Sequence, residues 1–137
     1  MIKLKYLIFA DLALAGIFSL SAIGCAPSQS QIEQHRTQCI NPVQQEDYHQ
    51  AVADCTETIY WDDEVYVLDG YYNRGKAYYN LGEYEKAIAD FTQAINMNPD
   101  FAEAYQSRGI AYQASGDYQK ADRDFNQAKE IQLNLGQ

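Results

Sequence analysis

The sequence predicts an all-α fold of antiparallel helix pairs stacked in a short right-handed α-solenoid. Three observations predict it. The chain repeats itself at an interval of 34 residues, its apolar residues recur at helical spacing, and glycine and proline punctuate those stripes at matching places. The repeat is explicit. Displacing the sequence by 34 superimposes Tyr71 on Tyr105, Arg74 on Arg108, Gly75 on Gly109, Ala77 on Ala111 and Tyr78 on Tyr112. It also superimposes Gly82 on Gly116, Tyr84 on Tyr118, Lys86 on Lys120, Ala87 on Ala121, Asp90 on Asp124, Phe91 on Phe125, Gln93 on Gln127 and Ala94 on Ala128. Those are 13 identities in 34 positions, where composition alone gives roughly two or three.

Each element has a local reason. Tyr84, Ala87, Ile88, Phe91, Ala94 and Ile95 form an i, i+3, i+4, i+7 stripe, the pattern of a helix with one buried face. Gly82 and Gly116 fall between stripes and suit a helix-ending turn. Gly75 and Gly109 lie inside helices, where glycine costs about 1 kcal/mol against alanine, so close approach of a neighbouring helix is the expected compensation. Pro99, after Asn98, closes the first unit. Upstream, Asp47-Tyr48, Ala51-Val52, Cys55-Thr56 and Thr58-Ile59 parallel Glu83-Tyr84, Ala87-Ile88, Phe91-Thr92 and Ala94-Ile95 at an offset of 36. This is a degraded unit, with two residues inserted near Tyr60-Trp61-Asp62-Asp63. Its first helix falls within residues 31–40, without a clear signature. One unit cannot bury its own apolar face, so the degraded unit serves as the N-terminal cap.

Within each unit, Tyr71, Gly75, Tyr78, Ala87, Phe91 and Pro99, then Tyr105, Gly109, Tyr112, Ala121 and Phe125, resemble the tetratricopeptide repeat. The resemblance covers residues 68–135 and departs at Arg74 and Arg108, where leucine is usual, and at Leu133, where proline is usual. It implies units at 68–101 and 102–135 behind a degenerate unit at 34–67. It also implies a groove face that carries Asp69, Tyr72, Lys76, Tyr79, Asn80, Glu103, Gln106, Ile110 and Gln113 and receives a protein or peptide partner. A solvated face is the plainer alternative. The carboxylate clamp of the chaperone-binding members is not expected: Lys76 and Asn73 are its only candidates, and Tyr72 and Ile110 stand where it needs other residues.

The N-terminus reads as an export signal. Lys3 and Lys5 precede an apolar run from Tyr6 to Ile23, interrupted by Asp11, and Cys25 ends it. Ser21-Ala22-Ile23-Gly24-Cys25 resembles a bacterial lipobox, which implies a signal peptide at 1–24, lipidation of Cys25 and a polar tether over 25–33. Plain secretion with cleavage before Cys25 and an uncleaved anchor are the alternatives. Three cysteines leave an odd thiol in an exported protein; lipidation of Cys25 would leave Cys39 and Cys55 as a pair in an oxidising compartment. Exported proteins of this repeat type place a Cys before the first repeat helix and a Cys-Thr on it, so the resemblance implies a Cys39–Cys55 disulfide. Asn41-Pro42 offers a competing helix start, but a helix from there carries Cys55 about 20 Å away. A disulfide therefore places the helix start near Glu46.

Composition narrows the chemistry. The formal net charge of −9 becomes about −10 once two lysines and one aspartate of the first 24 residues are removed, which speaks against nucleic acid and anionic lipid heads. His35, Cys39, His49 and Cys55 have spacings that fit no common zinc site. No nucleophile elbow or phosphate loop is present, and the acidic pairs Asp62-Asp63 and Asp122/Asp124 are assigned to a linker and a polar helix face. The expectation is a non-catalytic interaction module without cofactor or metal. It would be lipid-anchored in the cell envelope, facing the periplasm or exterior, and would scaffold a periplasmic or outer-membrane complex. An accessory or sensor subunit of an envelope enzyme and a self-assembling structural protein are the alternatives. The last would use the C-terminal end of the stack, where Ile131, Leu133 and Leu135 follow Ala128.

Overall fold

The computed structural model describes residues 28–40, 47–61 and 64–136. The expected signal peptide and Cys25 lie outside them. The described residues form α1 (Gln29–Ile40), α2 (Tyr48–Trp61), α3 (Glu64–Asn80), α4 (Tyr84–Met97), α5 (Ala102–Ser115) and α6 (Tyr118–Leu135). Consecutive helices pack on one another, and α1 meets α3 as α3 meets α5. The result is an all-α solenoid of three helix pairs. None of its described helices is long and apolar enough to cross a membrane.

The turns are built as the glycines suggest. Gly82 and Gly116 take φ of 76° and 89°, the left-handed region that side chains disfavour. After α3, the N–H of Glu83 donates to the Tyr78 carbonyl at 2.9 Å; after α5, the N–H of Asp117 donates to the Tyr112 carbonyl at 2.8 Å. Each bond satisfies a carbonyl that the helix end leaves open. Asp117 then caps α6 by accepting from the Lys120 N–H at 3.2 Å.

One start differs from expectation. The tether assigned to 25–33 gives way to α1 at Gln29. Ser28 and Gln31 cap that helix reciprocally: the Ser28 N–H donates to Gln31 Oε1 at 2.9 Å, and the Gln31 N–H donates to Ser28 Oγ at 3.3 Å. The second helix begins at Tyr48, close to the expected start near Glu46, because the Asp47 carboxylate accepts from the Gln50 N–H at 3.0 Å and fixes the cap there.

The core is small and made mainly of alanine and aromatic residues. Ala87, Phe91 and Ala111 form one buried cluster, flanked by Tyr72, Tyr78, Tyr79 and Ile88. Ala94, Ile95 and Ala104 form another, flanked by Tyr71, Tyr72, Phe101 and Tyr105. Gly75 faces Phe91 so closely that a Cβ on it would lie 2.7 Å from Phe91 Cε1, and Gly109 stands in the same relation to Phe125. This is the helix approach that compensates for glycine inside α3 and α5. Arg74 and Arg108, the departures from the repeat pattern, also have a shared role. The Arg74 guanidinium donates to both carboxylate oxygens of Asp90, at 2.7 and 2.8 Å, and to Thr56 Oγ1 at 3.0 Å. Arg108 repeats this with Asp124 and Thr92 at the same distances. Each arginine thus ties the two helices of its own unit together and reaches back to the preceding unit through a threonine. The bond to the carboxylate, then the charge itself, holds both guanidinium pKa values above their ordinary level against the opposing effect of burial. Asp124 is consequently buried, not on the polar face assigned to it.

The first unit keeps the geometry and changes the chemistry. Cys39 and Cys55, both 0% exposed, are joined by a disulfide with Cα atoms 4.7 Å apart and a sequence separation of 16. At the offset of 36 they stand where Gly75 and Phe91 stand in the next unit. The Arg–Asp pair is likewise replaced: buried Asp54 is 2.6 Å from His35 Nδ1, with Gln50 Nε2 donating at 3.3 Å. His35 is therefore half-buried against a carboxylate, whereas His49 is exposed.

Candidate functional site

The face shared by α3 and α5 carries all nine residues assigned to the groove, but the structure gives them different roles. Asp69, Tyr72, Lys76 and Tyr79 on α3 are half-buried; Asn80, and Glu103, Gln106, Ile110 and Gln113 on α5, are exposed. A shallow cleft of about 150 Å³ opens between the helices, lined by Lys76, Tyr79, Asn80, Phe91, Ser107 and Ile110. Four of the nine assigned residues line it. Asp69, Glu103, Gln106 and Gln113 lie elsewhere on the face.

Tyr72 is a correction. Its ring packs 4.8 Å from Phe101 and 5.9 Å from Phe91, centroid to centroid, and its hydroxyl is 3.4 Å from Ser107 Oγ. It cements α3 to the start of α5 and belongs as much to the core as to the groove. Tyr79 leans on Tyr84 at 5.7 Å. Lys76 holds its ammonium 5.4 Å above the Tyr72 ring, within cation–π range. The amide of Asn80 donates to the Lys76 carbonyl at 2.8 Å.

Ser107 and Phe91 complete the cleft without having been assigned to it. The register held the signal for Ser107, which is one repeat beyond Asn73. Asn73 is buried, its amide donating to the Asp69 carbonyl at 2.9 Å, so the position faces inward in one unit and lines the opening in the next. Phe91 was assigned to the core, where it is, and it also lines the cleft.

The cleft is mainly apolar below, through Tyr79, Phe91 and Ile110, with an amine, an amide and a hydroxyl at its rim. Such a surface binds by shape and a few polar contacts. Asp69, further along α3, has its carboxyl pKa raised by burial. The cysteines are bonded to each other and His35 to Asp54. Among the described residues no group of three His, Cys, Asp or Glu side chains converges as a metal site would require.

These observations define a helical-repeat solenoid of the kind that acts as a protein-interaction module. Residues 68–101 match one tetratricopeptide repeat model and residues 91–123 match a second, so the chain carries tetratricopeptide repeats over residues 68–123. No curated protein matches it significantly. Among solved structures, it superimposes on MamA with a TM-score of 0.70 at 27% identity, covering 77% of this chain and 60% of that one; it therefore spans less than two thirds of the MamA chain. It superimposes on the TPR2B domain of yeast Sti1, solved as a pHsp70 complex, with a TM-score of 0.71 at 28% identity, covering 78% of this chain and 84% of that one. The second repeat domain of Spaghetti (RPAP3), bound to the HSP90 peptide SRMEEVD, gives a TM-score of 0.67 at 25% identity, covering 74% and 87%.

Proposed function

We propose that this protein is an envelope-anchored adaptor that holds a segment of a partner protein against its α3–α5 face and so scaffolds a larger complex. The observation that carries the reading is the cleft between Tyr79, Phe91 and Ile110. Ile110 is 38% exposed there, beside Tyr79 and Phe91. The solved relatives with partners bound, yeast Sti1 in its pHsp70 complex and RPAP3 with an HSP90 peptide, support partner recognition by this fold. Support for the compartment comes from the Cys39–Cys55 disulfide, which persists in oxidising surroundings, together with the export signal and the lipobox-like Ser21 to Cys25.

A photo-crosslinking residue at 110 is expected to trap the partner in intact envelopes, whereas one at exposed Gln127 is not. Equal yields at the two positions would remove the α3–α5 face as the docking surface. For binding itself, Ile110→Gln is expected to weaken partner capture severalfold while leaving thermal unfolding almost unchanged, as for surface substitutions in general. Tyr72→Ala would be the wrong probe, since it also removes core packing. The anchorage has its own test. The intact mass of the membrane fraction is expected to correspond to a chain beginning at an acylated Cys25. An unmodified soluble protein would end the lipid reading and leave the groove reading standing.

A further inference from the structure

We infer that the α3–α5 cleft takes an extended, basic segment: one apolar side chain seated between Tyr79, Phe91 and Ile110, and cationic side chains about three residues away against Asp69 and Glu103. This rests on the docking face proposed above and adds its charge preference and spacing.

The repeat register places an acidic residue at one position of every first helix: Glu33 on α1, Asp69 on α3 and Glu103 on α5. Their partnering differs. Glu33 is neutralised within its own helix by Arg36 Nη1 at 2.7 Å. Asp69 and Glu103 make no ion pair among the described residues, where the arginines of the same units are committed to Asp90 and Asp124. Asp69 is half-buried, and burial raises its carboxyl pKa. A half-buried carboxylate of this kind gains most from a cation brought by a ligand. The protein's net charge of −9 adds a long-range attraction for basic segments.

Among the described residues that line the cleft, Lys76 is the one cation, and it sets the spacing. Lys76 lines the opening with its ammonium over Tyr72, which disfavours a second cation directly beside the seated apolar residue. Glu103 precedes Ile110 by seven positions on α5, as Asp69 precedes Lys76 on α3, about 10 Å along the helix axis. Roughly three residues of extended chain cover that distance. A basic residue three positions from the apolar one therefore meets the level of Glu103 and Asp69 without approaching Lys76.

The test uses the folded protein and two labelled peptides, blocked at both ends: Lys-Lys-Ala-Ala-Leu-Ala and Glu-Glu-Ala-Ala-Leu-Ala. Fluorescence anisotropy is expected to show the lysine peptide binding at least about fivefold more tightly, the scale of one or two partly exposed ion pairs. The preference should shrink at high salt and in the variant combining Asp69→Asn with Glu103→Gln, whose folding is checked by circular dichroism. Ile110→Gln should weaken both peptides alike. Equal or tighter binding of the glutamate peptide, lost in Lys76→Ala, would overturn the charge preference and leave the docking face intact. A preference for lysine that survives both carboxylate substitutions would overturn the assignment to Asp69 and Glu103. If neither peptide binds and crosslinking at 110 also fails, the docking face falls with it.

Discussion

Phe91→Ala is expected to destabilise the protein by about 3–5 kcal/mol, the range for removing a fully buried aromatic side chain. Phe91 is 1% exposed and clusters with Ala87 of its own helix and Ala111 of α5. Gly75 of α3 lies directly against its ring. One side chain thus joins three helices and two repeats, and its loss leaves a void that small, already close-packed neighbours cannot fill. Because stability in such arrays comes largely from nearest-neighbour interfaces, the effect should reach beyond the helix that carries the residue. Phe125→Ala is expected to cost less, since Phe125 remains half-buried. A companion substitution tests the contact itself. Gly75→Ala should be destabilising alone, because its Cβ would lie 2.7 Å from the ring. It should cost less when Phe91 is already Leu, a non-additivity that marks a shared contact. Urea unfolding of these five variants, Phe91→Leu alone included, supplies the values. A cost below about 1 kcal/mol for Phe91→Ala would mean that the ring is not the plug described here.

How far the sequence reveals such features depends on how they repeat. The second and third helix pairs were legible because their contacts recur: Gly75 with Phe91 and Gly109 with Phe125 announce themselves as aligned identities. Arg74 and Arg108 were equally visible as repeats, yet stood out only as departures from an apolar pattern. Their partners sit 16 residues away on another helix, and a sequence does not display which carboxylate an arginine will face. For the same reason Asp124 was assigned to a polar face although it is buried against Arg108. Helix α1 was hardest to place, because among its described side chains the buried apolar ones are Ile32 and Cys39, too few to make a periodic stripe. Its start was nonetheless encoded in the Ser28–Gln31 capping pair, which was absorbed into the tether. The groove was legible as a face but not in depth. Register alone cannot separate Tyr72, wedged against Phe101, from Tyr79, which borders the opening.

Loss of the Cys39–Cys55 disulfide is expected to cost about 3 kcal/mol, the chain-entropy value for a loop of this length. The cost should be localised. In Cys39→Ala with Cys55→Ala, hydrogen exchange should show α1 losing protection while α3–α6 keep theirs, since α1 has so little other apolar surface to hold it. The repeat register supplies a stricter test. Cys39 and Cys55 occupy the places of Gly75 and Phe91, with the same separation of 16 residues, so the covalent bond substitutes for a glycine–aromatic contact. Cys39→Gly with Cys55→Phe should therefore rebuild the contact used by the later units and recover part of the lost stability without any disulfide. Its stability should also become indifferent to reductant, whereas that of the natural protein should fall. Full recovery is not expected: glycine weakens α1 by about 1 kcal/mol relative to alanine, and the neighbours of the cystine are not shaped around a ring. A Gly/Phe variant no more stable than the Ala/Ala variant would show that the first unit is packed on a different plan, and that the shared separation of 16 residues is only a matter of register.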